Sequence, residues 1–215
     1  NKDMPRRLSV SNLYSQKFKF MPFTGEWKKI LGNRERKGCW MIYGNAKNGK
    51  TSFALRLANY LSSIEKVLYI AAEEGYGYSY TWAVQKAGIR EDNSAFHTLG
   101  YLPMEELRKE LEENRKAEKI VFIDNLIASK DELKGNAIVE LLRQFPETLF
   151  VFLDHEEAGE PATSAGILAK KLSNVYVQIK GLSAFVTVRG GDGEGGRIDI
   201  DENKAALIHG EREIN

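Results

Sequence analysis

The chain has 215 residues and a mass of 24.3 kDa, with 42% hydrophobic and 28% charged residues, a net charge of +1 and one cysteine, Cys39. That length supports one domain with a core of its own and leaves little room for two. The composition excludes a disordered or fibrous chain, and the balanced charge argues against a strongly basic nucleic-acid module, though not against a local basic patch.

No apolar run reaches the roughly 18 to 20 residues that a membrane-spanning helix needs, and no signal-peptide pattern opens the chain. Cys39 has no partner for an internal disulfide and sits in an apolar run, so a buried thiol in a reducing, cytoplasmic compartment is expected. The chain begins on Asn1 and not Met, which leaves an earlier N-terminal module open.

Residues 1–37 read as an arm or lead-in segment. They mix basic and aromatic residues in "RRLSVSNLYSQKFKF", and helical periodicity begins only at "EWKKILG". Residues 38–215 read as one α/β domain. "CWMIYG", "KVLYIAAEE", "KIVFIDNL" and "TLFVFLDHE" are short runs rich in Val, Ile, Phe and Tyr, as expected of strands covered on both faces. Amphipathic stretches at 51–63, 78–87, 104–115 and 134–144 alternate with them, and that order predicts a mostly parallel sheet flanked by helices. After residue 155, "EEAGEPATSAG" reads as a loop and "ILAKKLSN" as a short helix. "VYVQIKG", "SAFVTVRGG", "RIDID" and "KAALIHG" read as C-terminal antiparallel strands, with "GGDGEGG" as a mobile hairpin tip.

The stretch Gly44-Asn45-Ala46-Lys47-Asn48-Gly49-Lys50-Thr51 fits G-x-x-x-x-G-K-[ST], with the strand before it and the helix after it that this motif requires. Gly44 and Gly49 allow the backbone to curl so that successive N–H groups cradle phosphates at a helix N-terminus. The stretch, with Ser52 after it, is expected to bind a nucleoside triphosphate, with Lys50 on the β- and γ-phosphates and Thr51 on Mg²⁺; by itself it does not distinguish a kinase, a GTPase and a motor ATPase. Asp124, after four apolar residues, is the second metal-placing candidate, and Asn125 beside it is suited to orienting a water. Glu73 and Glu74 end the next apolar run, where a carboxylate can polarise the attacking water. Asp154 and His155 end a further one, where a polar side chain can sense the γ-phosphate. Tyr76, Tyr78, Tyr80 and Trp82 follow the glutamates as either packing residues or stacking surfaces.

Taken together, "GNAKNGKTS", "VLYIAAEE", "VFIDNL" and "FVFLDHEEAG" make the chain from about 38 to 209 resemble the RecA-like ATPases, and more narrowly the branch of DnaB-type replicative helicases, RepA-type plasmid helicases and RadA-like proteins. The resemblance implies a RecA-like fold, ATP and Mg²⁺ as cofactors, and a homo-oligomeric ring or filament. It makes Glu73 the water-activating base with Glu74 in reserve, and carries the sensor role to His155, while Asp154 departs from the histidine often seen there. A basic residue from the neighbouring subunit is implied as well, with Arg189 the first choice and Lys180 the second. The loop 156–166 corresponds to the family's DNA-contacting loop, yet it carries Glu156, Glu157 and Glu160 and no lysine before Lys170 and Lys171. The expectation is therefore an ATPase acting on single-stranded DNA in replication or recombination, helicase-like or a loading factor. The alternative is a regulatory ATPase of the same fold acting on a protein partner. A small-molecule kinase is disfavoured, since no Arg-rich lid is evident.

Overall fold

The computed structural model describes residues 7–114 and 116–210. Residues 1–6 of the expected arm, Arg115 at the end of the expected 104–115 helix, and 211–215 lie outside the described residues. Five strands dominate the sheet's centre: β1 (Gly38–Gly44), β2 (Val67–Ala71), β4 (Ile120–Asp124), β5 (Leu149–Glu157) and β7 (Val175–Lys180), with β3 (Phe96–Leu99) on one edge and β8 (Ser183–Val188) and β9 (Gly196–Asp199) on the other. The order is β3-β2-β4-β5-β1-β7-β8-β9, and a short β6 (Glu160–Pro161) pairs back on β5. All pairings from β3 to β7 are parallel, while β8 and β9 add antiparallel.

Each face of the sheet carries its own apolar layer. Trp40, Ile42, Tyr69, Phe122 and Val151 point to one side, where α2 (Gly25–Leu31), α3 (Lys50–Ser62) and α4 (Tyr78–Lys86) supply Ile30, Phe53, Leu57 and Tyr80. Met41, Ile70, Ile123 and Phe152 point to the other, against α5 (Met104–Glu113), α6 (Ala137–Gln144) and α7 (Ser164–Leu172). Alternate residues of one strand thus serve both layers, which is why these strands read as continuous apolar runs.

Several expectations change. The lead-in ends sooner than residue 37: Phe20 pairs with Glu35, and Met21, Phe23, Ile30 and Leu31 are buried in the core. The described residues before Phe20 are exposed and include a short α1 (Val10–Tyr14). "VYVQIKG" runs parallel to β1, so the antiparallel part begins only at β8. "KAALIHG" lies in a helix, α8 (Glu202–His209), whose first turn is capped by the Asp201 side chain. The 190–196 tip is pinned and not loose. Asp192 accepts from the Asn33 backbone and side-chain nitrogens, both at 2.6 Å, and the buried Arg34 donates to the Arg189 carbonyl at 3.2 Å.

Cys39 is buried as expected, 3.4 Å from the Ser173 hydroxyl. Burial pushes its thiol up from 9.0 to about 11, against the lowering effect of the Ser173 bond. The folded chain therefore keeps a proton that the unfolded chain releases, so this contribution to stability is complete below pH 9 and lost as the pH rises towards 11. The stability difference between the wild type and Cys39→Ala, measured by urea unfolding, should shrink by about 1 kcal/mol from pH 8 to pH 10. A difference that stays constant over that range would contradict the assignment.

Candidate functional site

The parallel register brings the C-terminal parts of five strands to one edge. Gly44 at the end of β1 lies opposite His155 on β5 and Ile179 on β7, and Ala71 at the end of β2 lies opposite Asp124 on β4. The loop 45–49 leaves this edge and enters α3 at Lys50. A Cβ on Gly44 would overlap the Ile179 carbonyl oxygen, and Gly49 has φ +94°, so neither position accepts a side chain without strain. Asn48 ties the loop to the next hairpin by accepting from the Gly181 backbone N–H at 3.2 Å. The result is a cleft of about 450 Å³ lined by Ala46, Lys47, Gly49, Lys50, Thr51, Ser52, Glu73, Glu74, Asp124, His155 and Leu182.

Lys50 is buried and its ammonium donates to the Asn45 carbonyl at 3.1 Å. Burial lowers its pKa, while the charges of Asp124 and Glu73 act the other way. The Thr51 hydroxyl donates to Asp124 Oδ2 at 2.8 Å, so the two expected metal-placing groups are in contact. Burial raises the Asp124 pKa, and hydrogen bonds from Tyr69 and Thr51 oppose that rise. Among the described residues no group of three or more His, Cys, Asp or Glu side chains is placed to hold a metal ion by itself. A Thr hydroxyl beside one carboxylate instead suits Mg²⁺ that arrives with a nucleotide and keeps several of its waters.

His155 lies between Lys50 and Glu73. Its Nδ1 is 3.5 Å from Lys50 Nζ, and its Nε2 is 3.2 Å from Asn125 Nδ2 and 3.5 Å from Glu73 Oε1. Lys50 and the Asn125 amide nitrogen can only donate and the Glu73 carboxylate can only accept, so the ring lies between two donors and one acceptor. The Asn125 amide also donates to Glu73. Glu73, Asn125, His155 and Lys50 therefore form one chain of contacts across the cleft. Glu74 lines the same cleft. β2 ends at Ala71, so both glutamates lie in the turn that follows it, where strand alternation does not separate them.

Asp154, adjacent to His155, points the other way and is fully buried. It accepts from the Thr163 hydroxyl at 2.7 Å and from the Thr163 and His155 backbone N–H groups at 2.9 Å each, which fastens the start of α7 to β5. Its carboxylate is structural. Arg189 is not brought to the cleft of its own chain. Because β8 runs antiparallel, its end returns to the opposite edge of the sheet, where Arg189 Nη1 donates to the Lys170 and Lys171 carbonyls at 3.0 and 3.1 Å and the guanidinium lies 4.8 Å from the Tyr176 ring. Lys180, at the end of β7, is exposed on the phosphate-loop edge. Of the aromatic run, Tyr80 is core, whereas Tyr76, Tyr78 and Trp82 are exposed. Tyr69 on Asp124 and Leu182 in the cleft wall carry no sequence signal, since each reads as an ordinary apolar position.

No protein-family model matches the chain, and no curated protein matches it in sequence. Solved structures do match in fold. The flagellar accessory protein FlaH from Methanocaldococcus jannaschii superposes with a TM-score of 0.58 at 12% identity, covering 83% of this chain and 91% of that one. A KaiC-like protein from Pyrococcus horikoshii superposes with a TM-score of 0.55 at 15% identity, covering 85% and 92%. This chain therefore shares the fold of these two proteins, the expected RecA-like arrangement of a mostly parallel sheet between helices with C-terminal antiparallel strands. The helicase branch is not singled out by these likenesses.

Two substitutions test the site. Lys50→Ala should weaken binding of a fluorescent ATP analogue at least about tenfold, the effect of losing one charge-assisted contact. Asp124→Asn should leave Mg²⁺-free binding in place and abolish its tightening by Mg²⁺. Wild-type titration curves for both variants would remove the cleft from consideration.

Proposed function

We propose that the chain binds Mg-ATP at this cleft and hydrolyses it as a subunit of a homo-oligomer. The observation that carries the reading is the Thr51–Asp124 contact placed beside Lys50, with Glu73 and His155 across the cleft. The loop from Gly44 to Thr51 holds the phosphates through its backbone N–H groups, and Lys50 meets the β- and γ-phosphates. Thr51 and, through water, Asp124 would hold Mg²⁺, which would supply charge neutralisation on the phosphate oxygens. Glu73, hydrogen-bonded by Asn125, polarises the attacking water, with Glu74 as the reserve base. His155 bridges Lys50 and Glu73, so a change at the γ-phosphate is felt at the base and along β5. For the basic residue donated by a neighbour, Lys180 is favoured by its exposed place on the phosphate-loop edge, and Arg189 is disfavoured by its place on the far one.

The loop after β5 bears on what the ATPase acts upon. Where a loop 156–166 was expected, the end of β5 pairs with β6: Glu157 and Glu160 are exposed and Glu156 is partly buried, and the nearest lysine, Lys170, is ion-paired with Glu160 at 2.8 Å and lies 4.8 Å from the Tyr43 ring. An acidic surface with its cation already engaged is poorly suited to a phosphate backbone, which favours a protein partner. Action on single-stranded DNA is the second reading, favoured by the arm: Arg7, Lys17 and Lys19 alternate with exposed Tyr14 and Phe18, and residues 7–19 contain no acid.

Steady-state phosphate release, with and without single-stranded DNA at two salt concentrations, separates these readings. Release without any phosphorylated acceptor is expected, and excludes a kinase. Glu73→Gln should keep ATP binding and lose about a hundredfold or more in turnover; unchanged turnover passes the role to Glu74. DNA stimulation that fades as salt rises supports the DNA reading, and indifference to DNA supports the protein partner.

A further inference from the structure

Asp124 has a donor that the phosphate loop does not supply. Tyr69, in the middle of β2, is among the largest fully buried side chains, and its hydroxyl donates to Asp124 Oδ2 at 2.7 Å. Thr51 donates to the same oxygen. A buried phenol needs a partner, but a nearby backbone carbonyl satisfies that need as well as a carboxylate does. Here the ring is fixed so that the hydroxyl meets the carboxylate. It stacks on Phe122 with centroids 5.4 Å apart and planes 19° apart, and is flanked by Tyr80 at 5.9 Å and Phe96 at 6.2 Å. The Tyr69 backbone is held too, since its carbonyl accepts from the Thr98 hydroxyl at 3.0 Å, and that hydroxyl pairs with the Tyr80 hydroxyl at 2.7 Å.

We propose that Tyr69 is a positioning residue for the metal: its phenol fixes the rotation of the Asp124 carboxylate by holding Oδ2, which reserves the other oxygen for the ion's water shell. Thr51 has two tasks on binding, since its hydroxyl must serve the ion as well as Asp124. Tyr69 has one, and its hold persists while Thr51 re-forms its contacts. Partners of this kind, one layer behind a ligand, set the ligand's orientation and hence the affinity for the ion. The inference rests on the Mg-ATP reading of the cleft.

The test is a titration of a fluorescent ATP analogue with Mg²⁺ against wild type, Tyr69→Phe and Tyr80→Phe, with thermal unfolding of each protein alone. Tyr69→Phe removes one oxygen and keeps the ring. It should leave Mg²⁺-free nucleotide affinity within about twofold and raise the Mg²⁺ concentration for half-maximal tightening about tenfold or more, as loss of such a partner does elsewhere. Tyr80→Phe deletes a neighbouring buried phenol oxygen with no contact to Asp124, so it should lower the unfolding temperature and leave the Mg²⁺ midpoint unchanged. A wild-type midpoint in Tyr69→Phe, or equal shifts in both variants, overturns the proposal. Absence of any Mg²⁺ effect in the wild type removes the reading beneath it and the proposal with it. If Tyr69→Phe does not fold, NMR of ring-¹³C-tyrosine protein decides. The tyrosine signal displaced by Asp124→Asn should also move when Mg²⁺ is added to nucleotide-bound wild type, and a signal that stays in place is the overturning result.

Discussion

A carboxylate taken out of water must be met by donors or by a cation, and Asp124 at the end of β4 is buried with both within reach. Its donors come from different elements, Thr51 from the first turn of α3 and Tyr69 from β2. Meeting that one requirement fixes α3 against the sheet edge and hence the course of the loop that joins it to β1. Lys50, one residue before Thr51, is brought close enough for Asp124 and Glu73 to offset the cost of burying its ammonium. The charges in the cleft depend on one another, so the proposed triphosphate and its cation would enter a site whose positive and negative groups are already placed.

The period of the strand decides which neighbouring residues serve the cleft. On β5, Asp154 and His155 are adjacent and point to opposite layers. His155 reaches Lys50, while Asp154 is consumed in fastening Thr163 and the start of α7. Beyond the last paired residue this rule lapses, so Glu73 and Glu74, in a turn after Ala71, both line the cleft. The same logic separates Lys180 from Arg189. β7 is parallel to β1 and delivers Lys180 to the phosphate-loop edge, whereas β8 returns the chain and carries Arg189 away.

Much of this was legible in the sequence where a local pattern and a chemical requirement coincide. The loop from Gly44 to Thr51 declares itself through its two glycines, its Lys-Thr pair and the strand and helix on either side. Asp124 stands out as an acid closing an apolar run. The relation between distant residues was not legible. Tyr69 looks like any aromatic in a buried strand, and only the β2–β4 pairing shows that its hydroxyl meets Asp124. β3 is a four-residue edge strand with no fully buried residue, too short to show a period. "KAALIHG" is a two-turn helix whose exposed Leu207 and Ile208 blur its amphipathic pattern. The Gly-rich tip reads as loose because glycine permits mobility, yet Asn33 and Arg34, distant in sequence, pin it at Asp192 and Arg189.

The central claim is that Thr51 and Asp124 place an ion beside a triphosphate held by the loop. A structure determined with Mg²⁺ and a non-hydrolysable ATP analogue tests it most directly. The γ-phosphate is expected at Lys50 Nζ, the ion about 2.0–2.1 Å from Thr51 Oγ1 with Asp124 meeting one of its waters, and Tyr69 still donating to Asp124. A nucleotide bound elsewhere, or an ion in this cleft that contacts neither Thr51 nor the shell of Asp124, would contradict it.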